Sequence, residues 1–316
     1  MLRSSVPVLL TLALLTAASC RAPAAPAPVE TASPAPDSDA PFAEQRDEIV
    51  RSYYALYPAR AVALGLHEYD GKLRDATASG IELELEFMED ALARLEAIDP
   101  ATLPPLERVE LGTLQVALRA ERFELKQRRS PWRNPMFYLE DLNLTPYIAR
   151  DYAPLAQRAA AIVAVAEASP AFLASAAANL ESALPRTFID TALLQVRGTI
   201  AFVQTDVPTA MAGLPAETKA KLEAALGTMV EALSSYEAQL VQRQGTATDD
   251  YALGPEGFVD MLRQTQGIDV DLSTLREIGQ ADLDRNLAAL EAAAKQIAPK
   301  AKVRATIEKV RREKPK

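Results

Sequence analysis

The chain's only histidine, His67, precedes Glu68 in the run Tyr-Tyr-Ala-Leu-Tyr-Pro-Ala-Arg-Ala-Val-Ala-Leu-Gly-Leu-His-Glu-Tyr-Asp-Gly-Lys-Leu-Arg, residues 53–74. His-Glu opens the His-Glu-x-x-His zinc pattern, whose two imidazoles must lie four residues apart to project from one helix face. Here the fourth position after His67 is Gly71, and the only cysteine is the distant Cys20. The local residues spell a turn instead. Pro58 suits a helix start, Gly65 suits its left-handed end, and Asp70-Gly71 closes a turn. Other chemistries leave no pattern: there is no Gly-x-Ser-x-Gly elbow, glycine-rich phosphate loop or Asp-Thr-Gly. Nothing positions a serine against His67. Glu107 with Glu110, and Glu121 with Glu124, have the spacing of neighbours on a helix, where solvated faces are expected. Asp269, Asp271 and Ser273 are spaced like the start of a calcium loop. The loop fails at its glycine and glutamate positions, held by Thr274 and Gln280. Thr274 with Glu277 predicts a capping box there instead. The residue types therefore predict no catalytic residue and no metal ligand in this chain.

Cys20 is a different matter. Arg3, the apolar residues 6–15 and Thr16-Ala17-Ala18-Ser19 precede it, which is the form of a lipoprotein signal with cleavage before a lipidated cysteine. It resembles a bacterial lipobox, with Ala17 where leucine is usual. The apolar run falls short of the ~20 residues that span a bilayer. Residues 1–19 read as the signal and 20–41 as a tether. The tether is rich in alanine and proline, with six prolines, and extends up to ~60 Å as polyproline II. Arg21 follows the cysteine where an aspartate would mark inner-membrane retention. The expected address is thus the bacterial cell envelope, lipid-anchored to the outer membrane and facing the periplasm, with the membrane as a partner through Cys20.

Asp plus Glu number 43 against 34 Lys plus Arg, a net charge of −9. That balance argues against nucleic acid, which selects clustered cations. With one cysteine, stability must come from a core rather than disulfides, and about 275 residues beyond the tether are enough for one.

Every long segment after the tether, residues 42–316, predicts helix. Phe42, Ile49, Tyr53 and Leu56 share a stripe. Residues 81–87 alternate like a strand, but Ile81, Leu85, Met88, Leu92 and Leu95 continue a helical stripe, with Thr77 or Ser79 as cap and Pro100 beyond the end. Pro104-Pro105 opens a helix to about Arg128 with Leu106, Val109, Leu114, Leu118 and Leu125 as its buried side. Alanine-rich helices are expected over 152–167, 170–181 and 185–204, then a long one to about Gln244. Residues 245–250 are a possible subdomain break. Helices follow over 254–267, carrying Phe258, Met261 and Leu262, and over 275–297, then a basic end, 300–316. No fixed period links the segments, so the expected fold is all-α, an irregular multi-helix array. Residues 130–147 stand apart through Trp132, Phe137, Tyr138 and Tyr147 and three prolines.

Three blocks carry a family resemblance: Pro58-Ala-x-Ala-x-x-Leu-Gly-Leu-x-x-Tyr-Asp-Gly-x-Leu, the aromatic run from Trp132 to Tyr138, and Gly254-x-x-x-Phe258 followed by Leu272-Ser-x-Leu-x-x-x-Gly279. Together they resemble the bacterial family catalogued as domain of unknown function 885, many of whose members are exported lipoproteins. The resemblance implies a helical protein similar to gluzincin-type zinc metallopeptidases, about twice this length, with the zinc motif in a C-terminal half that these 316 residues do not include. By that reading the chain is the helical half of a metallopeptidase-like fold, without activity of its own. Zinc is then expected only with the other half, and the partners are that half or a peptide substrate. Trp132, Tyr138 and Tyr147 either line its cleft or are simply core. The alternative is a self-sufficient lipoprotein that binds peptides or acts as a scaffold.

Overall fold

The structure, a computed structural model, describes residues 41–313. Cys20, the signal and the tether up to residue 40 lie outside the described residues, and the expected last tether residue, Pro41, opens a helix. Twelve α-helices and no strand occur among the described residues; Pro185 and Thr248 form an isolated bridge. The chain divides into two units, with the boundary between Ala252 and Leu253.

The first unit holds two apolar clusters. The N-terminal one is built by α1 (Pro41–Leu56), α3 (Ala78–Glu96) and α4 (Pro105–Lys126). Between α1 and α3 lies the short α2 (Pro58–Ala63). The cap of α3 is Thr77, whose hydroxyl accepts from Gly80 N at 3.1 Å, while Asp75 Oδ1 accepts from Thr77 N at 2.9 Å. Residues 81–87 are helical, as their longer stripe predicts. Ile81, Met88, Leu92 and Leu95 are buried and Leu83 is turned out.

The register of α4 differs from expectation. Leu106 and Val109 are 69% and 65% exposed, whereas Leu111, Leu114, Leu118, Phe123 and Leu125 are buried. At 100° per residue the stripe of 111, 114, 118 and 125 leaves Leu106 and Val109 facing about 110° and 170° away from its centre. Glu107 takes the inward position at that end, with its Oε2 shielded from solvent.

The second cluster is a packing of α7 (Leu155–Asn179), α8 (Arg186–Ala210) and α9 (Ala216–Arg243), in which α9 contacts both of the others. Ala159, Ala166 and Ala176 on α7 are fully buried, and such small side chains permit close helix approach. The two helices expected over 152–167 and 170–181 are one, because Pro170 sits inside α7. A proline removes the N–H that would bond the carbonyl four residues back. That carbonyl, of Ala166, instead accepts the Ser169 hydroxyl at 2.8 Å. Helix α8 likewise continues through Pro208 to Ala210, beyond the expected end near Gln204. Although α7 is long and apolar enough to span a bilayer, 56% of its apolar window is buried in this cluster.

From α4 to α7 the chain runs through α5 (Ser130–Arg133), a 3₁₀ segment (Pro135–Leu142) and α6 (Thr145–Ala149), and Tyr138, Leu139, Leu142, Leu144 and Tyr147 belong to the second cluster.

The second unit comprises α10 (Gly254–Gln266), α11 (Leu272–Ile297) and α12 (Val303–Arg312). Gly267, at φ +65°, ends α10 in the left-handed conformation that glycine adopts without strain. The cap of α11 is Asp271, not Thr274: its Oδ1 accepts from Thr274 N at 2.8 Å. The hydroxyls of Ser273 and Thr274 also turn back onto Asp271. The carboxylate spacing that resembled a calcium loop thus serves the first turn of a helix, which begins three residues earlier than the capping box placed it.

Candidate functional site

Residues 53–74 leave α1, form α2 and a tight corner, and then enter α3. Two side-chain assemblies grow from this stretch, one at each end.

The first is a charged seam between the two apolar clusters. Arg74 is buried at its centre. Its Nε lies 3.0 Å from Asp141 Oδ2, its Nη1 3.6 Å from Glu84 Oε2, and its Nη2 donates to Phe137 O at 3.1 Å. The guanidinium carbon also stands 4.0 Å from the centre of the Phe137 ring, a cation–π contact. Glu84, only 2% exposed, accepts a 3.0 Å hydrogen bond from the Tyr57 hydroxyl. The other face of Tyr57 is reached by Arg60, 4.5 Å from ring centre to guanidinium carbon. Arg60 in turn pairs with Glu121, to which Tyr53 OH donates at 3.1 Å.

Two guanidinium groups therefore serve three carboxylates, and the electrostatics reflect the shortfall. Burial pushes Glu84 up to about 7, against the opposing pull of Arg74 and the Tyr57 hydrogen bond. Burial also raises Asp141 in spite of Arg74. Burial works against the Arg74 cation, but Asp141, Glu84 and Tyr57 outweigh it, so its pKa stays above the ordinary value. Glu84 is a carboxyl poised to titrate near neutrality, in a place closed to solvent. The arrangement is suited to tying two cores together, with a protonation-dependent strength.

The second assembly surrounds His67. Its Nδ1 lies 3.1 Å from Asp70 Oδ1, and Tyr152 OH donates to Asp70 Oδ2 at 2.8 Å. The imidazole stacks flat on the Tyr152 ring, 3.4 Å between centres and 5° between planes. One residue on, Gly71 N donates to the Tyr147 hydroxyl at 3.1 Å. This orients His67 as an acid–base group is oriented, but among the described residues no serine or cysteine hydrogen-bonds its other nitrogen. Among the described residues no group of three or more His, Cys, Asp or Glu side chains is placed to hold a metal ion. The corner is a latch that holds residues 67–71 against α7.

Gly71 shows how tight the latch is. It sits at φ +76°, and a Cβ there would lie 3.0 Å from Ala164 Cβ and 3.4 Å from the Ala161 backbone. Gly71→Ala is expected to cost about 2 kcal/mol, from left-handed strain and crowding together. Urea unfolding measures it, and a loss below about 0.5 kcal/mol would contradict the packing described.

The residues singled out in the sequence fall out differently. Tyr138 and Tyr147 are core. Tyr138 OH donates to Pro131 O at 2.8 Å and accepts from Asn179 Nδ2 at 3.0 Å. Both rings are enclosed by the first unit's own side chains. Trp132 is half-buried, with the Arg129 guanidinium 5.9 Å from its ring. Glu107, Glu110, Glu121 and Glu124, expected on solvated faces, are half-buried. Glu110 pairs with Arg46 at 2.7 Å, Glu121 joins the seam, and Glu124 accepts from Arg128 and from Ser130.

Beside the seam, Glu140, Asn143, Thr145, Gln195 and Phe202 border an open depression of about 360 Å³. Burial raises the Glu140 carboxyl as well. Arg74, Glu84 and Asp141 themselves were not singled out from the sequence. One signal was present: Glu84 falls between Ile81 and Met88 in the apolar stripe of α3, where a charge requires a buried partner.

No curated protein matches the sequence. A solved structure, that of a candidate lipoprotein of unknown function from Shewanella oneidensis, matches with a TM-score of 0.68 at 20% identity, covering 85% of this chain and 52% of that one. The chain thus spans about half the length of that structure, and at this identity the likeness is one of fold. The profile describing a bacterial protein of unknown function (DUF885) matches residues 58–316, taking in the latch, the charged residues of the seam and the whole second unit. With most of its length matched in this way, the chain belongs to the DUF885 family of bacterial proteins.

Proposed function

We propose that the chain forms the non-catalytic helical part of an exported, lipid-anchored protein similar to a gluzincin-type zinc metallopeptidase. In this reading the metal site lies in sequence outside these 316 residues. The observation that carries the existence of a further part is the half-length match to the Shewanella structure; the peptidase likeness rests on the three sequence blocks that resemble the family. The residues present do not fit a zinc site: the only imidazole is engaged by Asp70 and stacked on Tyr152, and Glu121 and Asp141 of the seam are paired with Arg60 and Arg74. What this part supplies is a rigid wall and an anchor. The lipobox ending in Cys20 and the lipoprotein description of the Shewanella structure support a lipid anchor, and Arg21, where an aspartate would mark inner-membrane retention, favours the outer membrane.

The test is the native product in the source bacterium, detected with an antibody against residues 42–252. A product of about twice the mass of this chain, labelled by radioactive palmitate and unlabelled in a Cys20→Ser strain, is the expected result. A product with the mass of these 316 residues alone would overturn the peptidase-part reading and leave a self-sufficient scaffold or peptide-binding lipoprotein. Persistent label in the Cys20→Ser strain would overturn the anchor.

A further inference from the structure

The second unit has almost no interior. Of residues 253–313, only Ala294 and Thr306 are buried. Its longest helix, α11, carries Leu283, Leu287, Leu290, Ala294 and Ile297 at spacings of four, three, four and three, which is one continuous stripe. Helix α12 packs on α11, yet Leu283, Leu287 and Leu290 remain between 42% and 51% exposed. The stripe is one helix wide and about 21 Å long. Surface of that kind on a folded protein marks a place where another element packs.

We infer that this stripe is the seat of an amphipathic helix from the part of the family fold that lies outside residues 1–316. The inference rests on the proposed function and names the surface through which the two parts meet. Two observations select this occupant. The family match runs through the whole of the second unit to residue 316, so the unit belongs to the shared fold and is not an appendage. About half of the Shewanella chain lies outside the structural match, which is ample polypeptide to supply the covering helix. Asp284 and Glu291 border the stripe, while Asp282 is paired with Arg285, so the helix that fits it carries lysine or arginine at its margins.

The test places a photocrosslinking benzophenone side chain at Leu287 in the native protein, with Leu194 as control, an exposed position in the first unit. Adducts are identified by mass spectrometry. Peptides that continue the same family beyond residue 316, captured from Leu287 and not from Leu194, are the expected result. Adducts to a second copy of residues 1–316, to phospholipid or to the first unit would overturn the inference, as would no adduct. A native product of doubled mass with no such adduct at Leu287 refutes the docking surface alone, whereas a product of the mass of this chain refutes the proposed function beneath it. On the isolated 316-residue chain, Leu283→Ser combined with Leu287→Ser and Leu290→Ser should lower the fluorescence of a hydrophobic dye by about threefold. Unchanged fluorescence would count against an unpartnered stripe.

Discussion

Arg74→Ala should lower stability by about 3–5 kcal/mol, the range for leaving buried charge without its partner. The substitution removes the cation between Glu84 and Asp141, the donor to Phe137 O and the guanidinium packed on the Phe137 ring. For a unit of this size the melting temperature should fall by about 10 °C. Arg74→Lys is not a conservative control. A single ammonium cannot reach Asp141, Glu84 and the Phe137 carbonyl together, nor stack flat on a ring, so it should recover less than half of the loss. The penalty of Arg74→Ala should be larger at pH 8 than at pH 5, because at the lower pH Glu84 can take up a proton and relieve the uncompensated charge. Thermal melts at the two pH values decide the matter. A fall of under about 3 °C at both would mean that the seam contributes little to holding the unit together.

The second large effect is the pH dependence that Glu84 brings. Its pKa rises on folding from 4.5 to about 7, chiefly through burial. A carboxyl raised in the folded state favours folding while it is protonated. Its contribution is fully present below the unfolded value and is lost as pH climbs through the folded one. Between pH 4.5 and 7, stability should therefore decline by about 3 kcal/mol on this account. The carboxylates with depressed values, Glu48, Asp75 and Asp271, act in the opposite sense and only at lower pH, so the two trends separate. In Glu84→Gln the neutral form is fixed. Urea unfolding should find the variant close to wild type at pH 5 and more stable by about 3 kcal/mol at pH 8. A variant that tracks wild type across this range, or that is weaker at pH 8, would show that Glu84 is ionised and held by Arg74 throughout.

Much of the fold could be read from local pattern. The stripe through Ile81, Met88, Leu92 and Leu95 outweighs the alternation of residues 81–87, since a helix of that length buries more with the longer period. The Thr77 cap and the Gly65 and Gly71 turns follow from single-residue stereochemistry. Where the reading failed, a longer-range contact had decided the outcome. Leu106 and Val109 are as apolar as Leu111, and only packing against α3 selects the register of α4. Pro170 breaks a helix by rule, yet the Ser169 hydroxyl satisfies the freed carbonyl inside a packed cluster. The seam was least legible. Arg74, Glu84 and Asp141 come from three different elements, and one sequence gives no sign that they meet. The aromatic residues of 130–147 were visible as unusual, but only contacts distant in sequence show that the hydroxyls of Tyr138 and Tyr147 bond to Pro131, Asn179 and Gly71 within the core.

The division of the first unit into two apolar clusters bears on how it comes apart. The cluster of α1, α3 and α4 and the cluster of α7, α8 and α9 are distinct bodies of buried side chains, with the Arg60 and Arg74 ion pairs between them. Apolar burial is continuous within each, so each is a natural foldon, a segment that opens as a whole. Charge across the seam is what makes the two open together. Amide protons of α3 and α7 should then share one protection free energy in the native protein, and drift apart in Arg74→Ala, where the cation that links the seam is gone. Cooperativity in this protein is accordingly set by a handful of buried charges more than by the size of either core.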